Sequence, residues 1–190
     1  MRTALALSLL LAAGPALAAP QPKPAAPAPS QVTSEEQLFA QLHKVESAED
    51  AHPIEQKLIG MFRVSGSPSV DLLVTRAQVA LAATDNKTAK KLIEAVTGIA
   101  PKFAEGWHIR AGMEQAAGDD TAALVSLQKT VLLNPRHFAA LSELGDMLEE
   151  YGDKAGALKL YRRALELDPQ LEGANRKVRE LTQSVEGRDI

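Results

Sequence analysis

Side chains that could do chemistry are few in this sequence. The four histidines are His43, His52, His108 and His137, and none lies at zinc-ligand spacing from another. HExxH, GxSxG, GxGxxG and phosphate-loop motifs do not occur. The sequence contains no cysteine, which excludes disulfides, thiolate metal sites and a cysteine nucleophile. We therefore predict that the protein has no metal site and no cofactor.

Neighbouring carboxylates occur twice, at Asp119-Asp120 and at Glu149-Glu150. Both pairs belong to a turn or to the surface of a helix, where water solvates each charge. Catalytic carboxylates need a desolvated cleft that separates their pKa values. Solvated faces and helix caps explain these pairs better, so we predict a protein that is not an enzyme.

Composition favours helices and argues against nucleic acid. The chain has 190 residues, 45% of them hydrophobic but only 4% aromatic. Alanine and leucine are abundant, and both enter helices with little loss of entropy. The formal net charge is −3, so there is no basic excess to neutralise phosphates. The expected class is an all-α domain that binds no nucleic acid.

The first 18 residues have the organisation of a secretory signal peptide. Arg2 precedes an apolar run from Ala4 to Ala13, and Ala16-Leu17-Ala18 has the small-x-small pattern of a cleavage site. We predict cleavage after Ala18 or Ala19. An uncleaved anchor is the alternative, but the run is short for a bilayer. We expect no stable membrane insertion after cleavage.

Residues 19–33 form a proline- and alanine-rich linker, and dense prolines favour an extended, unpacked chain. Folded sequence is expected to begin near Ser34. The short leader, this linker and the absence of cysteine from an oxidising compartment favour a bacterial periplasmic protein. A eukaryotic secreted protein is the alternative.

The rest of the chain repeats itself at an interval of 34 residues. Pro101, Pro135 and Pro169 each close a helical segment. Other residues that fall in register are Leu73, Trp107 and Leu141, then Ala77, Ala111 and Gly145, then Asp85, Asp119 and Asp153, then Ala89, Ala123 and Ala157, then Ile93, Leu127 and Tyr161. The small columns allow two antiparallel helices to approach closely.

The turn between the two helices of each unit has its own chemistry. Gly152 can adopt the left-handed conformation that ends a helix, and Asp153 can then cap the next one. Gly118-Asp119 is equivalent, and Thr84-Asp85 is the same turn without the glycine. The pattern predicts three helix hairpins joined by short connections.

These columns resemble the tetratricopeptide repeat. Residues 138–171 match best, through Leu141, Leu144-Gly145, Tyr151-Gly152, Ala157, Tyr161, Ala164 and Pro169. Residues 104–137 and 70–103 match less fully, since Arg110 and Arg76 stand where the pattern prefers leucine. The resemblance implies hairpins stacked into a right-handed superhelix, or solenoid, with a concave face.

The flanking segments are expected to complete the array. Residues 34–69 contain two more amphipathic helices, which we interpret as a degenerate hairpin that extends the array as its N-terminal cap. Ser34 is the predicted cap of the first helix, and Pro53 is expected in the first turn of the second. Residues 172–184 are a predicted capping helix with a polar outer face, followed by a tail at 185–190.

The resemblance also implies where a partner would bind. One side of each first helix lines the concave face in this family, and the residues expected there are Asp71, Val74, Gln78, Glu105, His108, Gly112, Ser142 and Asp146. The lysine and asparagines with which some relatives hold a C-terminal carboxylate are absent from these places. The function predicted is a non-catalytic scaffold that binds a partner protein or peptide.

Two arginines are candidate charges at the edge of this groove. Arg76 and Arg110 are 34 residues apart and replace apolar residues of the repeat. Each either pairs with an acidic residue of the next unit or contacts the partner. A second functional class remains open, a small-molecule or glycan binder that uses Trp107 and the groove. The sequence does not choose the partner or the oligomeric state.

Overall fold

The computed structural model describes residues 29–187, which are helical apart from short connections. The predicted signal peptide and most of the predicted linker lie outside these residues. The helices are α1 Pro29–Leu42, α2 Ala48–Phe62, α3 Pro68–Ala82, α4 Asn86–Ile99, α5 Ala104–Ala116, α6 Asp120–Leu133, α7 Phe138–Glu150, α8 Lys154–Leu167 and α9 Ala174–Val185. None of the helices in this part of the chain could span a membrane, being too short or too polar.

The predicted all-α repeat fold is confirmed. Three hairpins follow one another, α3–α4 (repeat 1), α5–α6 (repeat 2) and α7–α8 (repeat 3), and α9 packs on α8. The carboxylates of Asp85, Asp119 and Asp153 accept hydrogen bonds from the backbone N–H three residues on, at 3.0, 3.1 and 2.9 Å. The aspartates therefore start each second helix, as predicted.

Close packing within a repeat depends on a small residue that faces a large one. Tyr161 is fully buried, and its ring lies where a Cβ on Gly145 would be, at 2.9 Å. The hydroxyl of Tyr161 donates to Asp146 at 2.6 Å and to Glu149 at 3.2 Å. Burial of the ring and these carboxylates raise the pKa of Tyr161 far above its usual value, so it stays a neutral donor.

The turn of repeat 1 contains a strained residue. Thr84 has φ of 57°, whereas Gly118 and Gly152 hold the equivalent places at 76° and 85°. A β-branched side chain is disfavoured there because its Cβ crowds the backbone.

We expect Thr84→Gly to raise the free energy of unfolding by about 1 kcal/mol, since it removes this strain. Urea denaturation followed by circular dichroism would measure the change. The reverse substitution in repeat 2, Gly118→Thr, should lower stability by a similar amount. Equal stabilities for Thr84→Gly and the wild type would show that the turn is not strained.

The first two helices begin earlier than the sequence suggested. α1 starts at Pro29, inside the predicted linker, because a proline is compatible with the first turn of a helix. Ser34 is therefore an internal residue of α1 and not its cap. Ser47 caps α2 by accepting from the N–H of Asp50, so Pro53 lies inside that helix and not in its first turn.

The hairpin α1–α2 does not stack on α3, contrary to the expectation that it caps the array. Its apolar stripe, with Phe39, Leu42 and Leu58 buried, packs against Phe138 and Leu171 of repeat 3 and its exit. The hairpin thus runs along the edge where second helices connect to the next first helices. The apolar faces of α1 and α2 can be buried at this edge as well as against α3 at the end of the array. The sequence does not favour either position.

Polar contacts hold this hairpin at several points along the edge. Arg136 pairs with Glu35 and Glu36 of α1, at 3.3 and 2.5 Å, and its guanidinium lies 4.1 Å from the ring centroid of Phe39. Imidazole Nε2 of His43 lies 2.9 Å from the carbonyl oxygen of Glu166. The docked position is therefore specified by charge as well as by apolar packing.

Two carboxyl groups meet at the same interface. Asp168 is fully buried. Its Oδ2 forms no hydrogen bond with any of the residues that the structure describes. Burial, together with Asp168 and Glu172, raises the pKa of Glu55 to about 7, and burial also raises the pKa of Asp168. A proton held between Glu55 and Asp168 would give this atom a partner, whereas two ionised carboxylates at this interface would repel each other.

We expect Glu55→Gln to stabilise the protein above pH 7 by about 1–2 kcal/mol, because the amide donates where an ionised Glu55 cannot. The raised pKa means that the wild type loses stability as the pH rises from about 4.5 to about 7, and the variant should lose less. Urea denaturation across this range is the measurement. Glu49→Gln, an exposed change on the same helix, is the control. Parallel pH profiles for the wild type and Glu55→Gln would contradict the shared proton.

Candidate functional site

A cavity of about 610 Å³ lies beside α5 and is lined by repeats 1 and 2, with Glu143 contributed by repeat 3. We call it the central cavity. Apolar side chains from three helices contribute to it, including Leu81, Ile93, Ile109 and Met113, and its charged lining includes Arg63, Lys90, Glu94, His108 and Glu143. Neither Lys90 nor Glu94 forms a side-chain hydrogen bond or ion pair with the part of the chain that the structure describes, and both are exposed. These two charges remain available to a ligand.

A buried charged network forms one end of the cavity. Glu105 is 3% exposed and contacts His137 Nε2 at 3.1 Å, His108 Nδ1 at 3.4 Å and Arg63 Nε at 3.4 Å. The other nitrogen of His108 lies 3.0 Å from a carboxylate oxygen of Glu143. The network therefore joins the end of α2 to α5 and α7.

The network shifts two pKa values in opposite directions. Burial raises the pKa of Glu105, but hydrogen bonds from His108 and His137 and attraction to them outweigh it and lower the pKa to about 2. Burial lowers the pKa of His108, but its bonds to Glu105 and Glu143 outweigh it and raise the pKa to about 9. At neutral pH, Glu105 is an anion and His108 is a cation.

Glu105, His108 and His137 each have a ligand atom within 4.8 Å of the others, as a metal site would. The hydrogen bonds fit an ion-pair network better. Nδ1 of His137 accepts from the backbone N–H of Ala140 at 3.2 Å, so Nε2 keeps its proton and donates to Glu105. A metal at Nε2 would need the opposite tautomer and would break the cap of α7. The residues present do not fit a metal.

Two of the residues expected on the concave face are buried. Val74 is 4% exposed and packs with Val70 and Val96, because Phe103, immediately before α5, and Ile109 of α5 pack against this cluster. Val74 therefore presents almost no side-chain surface to a partner in the groove. Glu105 adjoins the central cavity, but its carboxylate is used by the buried network and presents almost no surface.

The other six predicted groove residues are dispersed. His108 and Gly112 line the central cavity, whereas Asp71, Gln78, Ser142 and Asp146 do not. Asp71 accepts from the backbone N–H and the hydroxyl of Ser65, at 2.8 and 2.5 Å. Asp146 accepts from Tyr161, and Gln78 and Ser142 are half-buried. Two of these six residues thus lie at the central cavity and four lie elsewhere, and their role in partner binding stays a prediction.

The two arginines have different surroundings. Arg110 lines the cavity and donates to Glu114 on its own helix at 2.7 Å, and its guanidinium lies 5.4 Å from the ring centroid of Trp107. The expected pairing with the next unit is not seen for either arginine. Arg76 is exposed and forms no ion pair with the residues described.

His137 belongs to the site although the sequence did not indicate it. Its ring lies 4.4 Å from that of His108 and 5.1 Å from that of Phe62, measured between centroids. The one available signal was its place immediately before α7, where an acceptor side chain caps a helix. Contact with Glu105 depends on the tertiary fold alone.

Known proteins resemble the chain in sequence and in fold. Residues 138–171 match the family described as "Tetratricopeptide repeat". A TPR repeat-containing protein of Rhizobium etli is 27% identical over 152 residues, which are 80% of this chain and 74% of that protein. The third repeat is therefore supported by sequence as well as by structure.

Solved structures agree on the architecture. The Sgt2 TPR domain from Aspergillus fumigatus has a TM-score of 0.55 at 22% identity, covering 63% of this chain and 81% of that one. The Yersinia enterocolitica type III secretion chaperone SycD, in complex with a peptide of the translocator YopD, has a TM-score of 0.55 at 14% identity, covering 62% and 95%. MamA has a TM-score of 0.55 at 15% identity, covering 81% and 82%. This chain is a helical repeat protein with the fold of the tetratricopeptide-repeat proteins.

Proposed function

We propose that this chain is a non-catalytic scaffold of the bacterial periplasm that binds a segment of a partner protein in the central cavity, in the assembly of the cell envelope. Repeat proteins of this fold generally mediate protein–protein interactions, and the SycD structure contains a bound peptide. The leader-like residues 1–18 support the periplasmic location.

The observation that carries the proposal is the mixed lining of the cavity. Leu81 and Met113 offer apolar surface, and Lys90 and Glu94 offer charges of both signs that pair with no residue of the described range 29–187. Such a lining suits an extended peptide, which has apolar side chains and polar groups along its length. A preformed cavity between stacked helices also binds without a large ordering penalty.

The ionisable groups of the cavity do not suit catalysis. The pKa of Glu105, at about 2, makes it a poor base, and His108, with a pKa of about 9, keeps its proton at neutral pH. Each is held by a partner of opposite charge. Their role is to fix the end of the cavity, not to transfer protons.

Blocking the cavity tests the proposal. Gly112 is exposed, lines the cavity, and has nothing within 4 Å of the place where a Cβ would lie, so a side chain can start there without a clash. We expect Gly112→Trp to reduce capture of periplasmic partners at least about tenfold. In-cell photo-crosslinking from position 112, followed by mass spectrometry, would identify the partner.

Gly98→Trp is the matched control, since Gly98 is also an exposed helical glycine with open space but lies outside the cavity. Equal capture by both variants and the wild type would reject the cavity as the binding site. Cell fractionation and the mass of the processed protein test the location. A product that lies in the cytoplasm would reject the periplasmic part, and a periplasmic product that keeps residues 1–18 would indicate the uncleaved anchor.

Glycan binding through Trp107 is less well supported. The indole N–H already donates to the carbonyl of Pro101 at 3.0 Å, and Lys129 lies 5.0 Å from the ring centroid. A sugar would have to displace these contacts to stack on the ring. Quenching of Trp107 fluorescence by a soluble peptidoglycan fragment would favour this function over peptide binding.

A further inference from the structure

Polar side chains follow one another along the wall that α4 contributes to the central cavity. Asn86, Lys90 and Glu94 line the cavity and are exposed. They are four residues apart, so successive members lie on one face of the helix, about 6 Å apart along its axis. Within residues 29–187, none of the three side chains forms a hydrogen bond or an ion pair. An amide, a cation and an anion are therefore available to a ligand, in that order.

The charges that lie one turn apart on α5, in the same cavity, are already paired. Arg110 donates to Glu114 at 2.7 Å, and Glu114 also accepts from the hydroxyl of Ser126 at 2.6 Å. Lys90 and Glu94 have the same spacing and the same order but form no ion pair with each other. No third residue of the described range fixes either of them, and the order with the cation first is the less favourable one for a pair of this spacing. A ligand can therefore pair with both charges without breaking an existing bond.

We infer that the central cavity selects an extended partner segment in which an acidic and a basic side chain are two residues apart. The acidic side chain pairs with Lys90, and the basic side chain pairs with Glu94. The inference rests on the proposed function, since it states which segments of a partner protein the cavity binds.

The spacing of the two charges fits an extended chain. Side chains two residues apart in a strand lie on the same side, about 6.7 Å from each other. Lys90 and Glu94 are separated by about 6 Å along the helix axis, and their flexible side chains can cover the difference. Asn86, one turn earlier, carries both a donor and an acceptor and can therefore bond to a main-chain peptide group of the same segment.

The apolar lining of the cavity suits the residue between the two charges. Successive side chains of an extended chain point to opposite sides, so this residue points away from α4. Leu81 of α3 and Ile109 and Met113 of α5 line other parts of the cavity and are half-buried. An apolar side chain that packs on them removes further apolar surface from water. A segment with an apolar residue between its acid and its base therefore complements the cavity best.

Fluorescence anisotropy with labelled peptides tests this selection. The probes are seven-residue peptides, Ser-Val-X-Val-Z-Val-Ser, in which X and Z are Glu and Lys, two Glu, two Lys or two Gln. We expect the wild type to bind the Glu/Lys peptide about fivefold more tightly than the Glu/Glu or the Lys/Lys peptide, because each of these places one charge beside a residue of like charge. Equal affinities for these three peptides would overturn the inference.

Charge reversals on α4 should change the preferred peptide. Lys90→Glu should bind the Lys/Lys peptide most tightly, and Glu94→Lys should bind the Glu/Glu peptide most tightly. Lys91→Glu is the matched control, since Lys91 is also exposed on α4 but lies outside the cavity, and this variant should keep the preference of the wild type. Circular dichroism of each variant establishes that it is folded. An unchanged preference in Lys90→Glu and Glu94→Lys would contradict the assigned pairing.

The same peptides separate this inference from the proposed function. Binding of all four peptides with one affinity, lost in Gly112→Trp, would keep the cavity as the binding site and reject the selection by charge. Binding of no peptide by the wild type would contradict both proposals. A peptide with three residues between Glu and Lys has the spacing of a helix face. Tighter binding of that peptide would indicate a helical partner segment and overturn the extended one.

Discussion

Replacing Glu105 with alanine is expected to lower the free energy of unfolding by about 3–5 kcal/mol, because the change breaks a buried ion-pair network by removing one side of it. His137, 1% exposed, would keep a buried N–H without an acceptor. His108 would lose one of its two carboxylate partners, and Arg63 would lose the contact that fixes the end of α2. Urea denaturation at pH 6 is the measurement.

Glu143→Ala is the matched control. Glu143 also contacts His108, but its side chain is 45% exposed, so water can replace it. We expect a loss below about 1 kcal/mol for this variant. Equal losses for Glu105→Ala and Glu143→Ala would show that burial does not strengthen the contacts of Glu105.

The pH dependence of the same network follows from the signs of its pKa shifts. Glu105, lowered from 4.5 to about 2, stabilises the folded state above pH 4.5 and loses this effect as the pH falls toward 2. His108, raised from 6.5 to about 9, stabilises it below pH 6.5 and loses this effect as the pH rises toward 9. The destabilisation caused by His108→Gln should therefore be largest between pH 4.5 and 6.5. A loss that is constant from pH 4 to pH 9 would contradict the ion pair.

Tyr161→Ala is expected to lower the free energy of unfolding by about 3–5 kcal/mol as well. The ring is fully buried between Gly145, Leu158 and the capping helix α9, so its removal leaves a cavity in the core of repeat 3. The hydroxyl bonds to Asp146 and Glu149 are lost at the same time. Thermal and urea denaturation would measure the loss.

The other tyrosine is the natural control. Tyr151 is 59% exposed at the end of α7, and its hydroxyl donates to Asp120 at 3.0 Å. We expect Tyr151→Ala to change stability by less than about 1 kcal/mol. Tyr161→Phe separates the ring from the hydroxyl and should cost about 1–2 kcal/mol. A small effect of Tyr161→Ala would mean that repeat 3 can repack around the gap.

Local signals in the sequence accounted for the repeat hairpins. Asp119 and Asp153 cap helices through hydrogen bonds to the backbone three residues on. Gly152 adopts the left-handed backbone conformation that ends the preceding helix. Tyr161 opposite Gly145 is a packing relation inside one hairpin. Such features act over short stretches of chain, so their spacing was sufficient to predict the fold.

Only the tertiary structure shows where the hairpin α1–α2 packs and which residues contact Glu105. The apolar face that contains Leu42 and Leu58 had to pack against another apolar surface. The hydrophobic effect is not directional, so any apolar surface of the right size could have covered it. His108 and His137 lie on different repeats and meet at Glu105 because α5 and α7 are neighbours in the array. The sequence by itself determined which helices form and how they pair into hairpins. The site follows from the packing of one repeat on the next, and the position of the first hairpin is a choice between distant surfaces that no local pattern encodes.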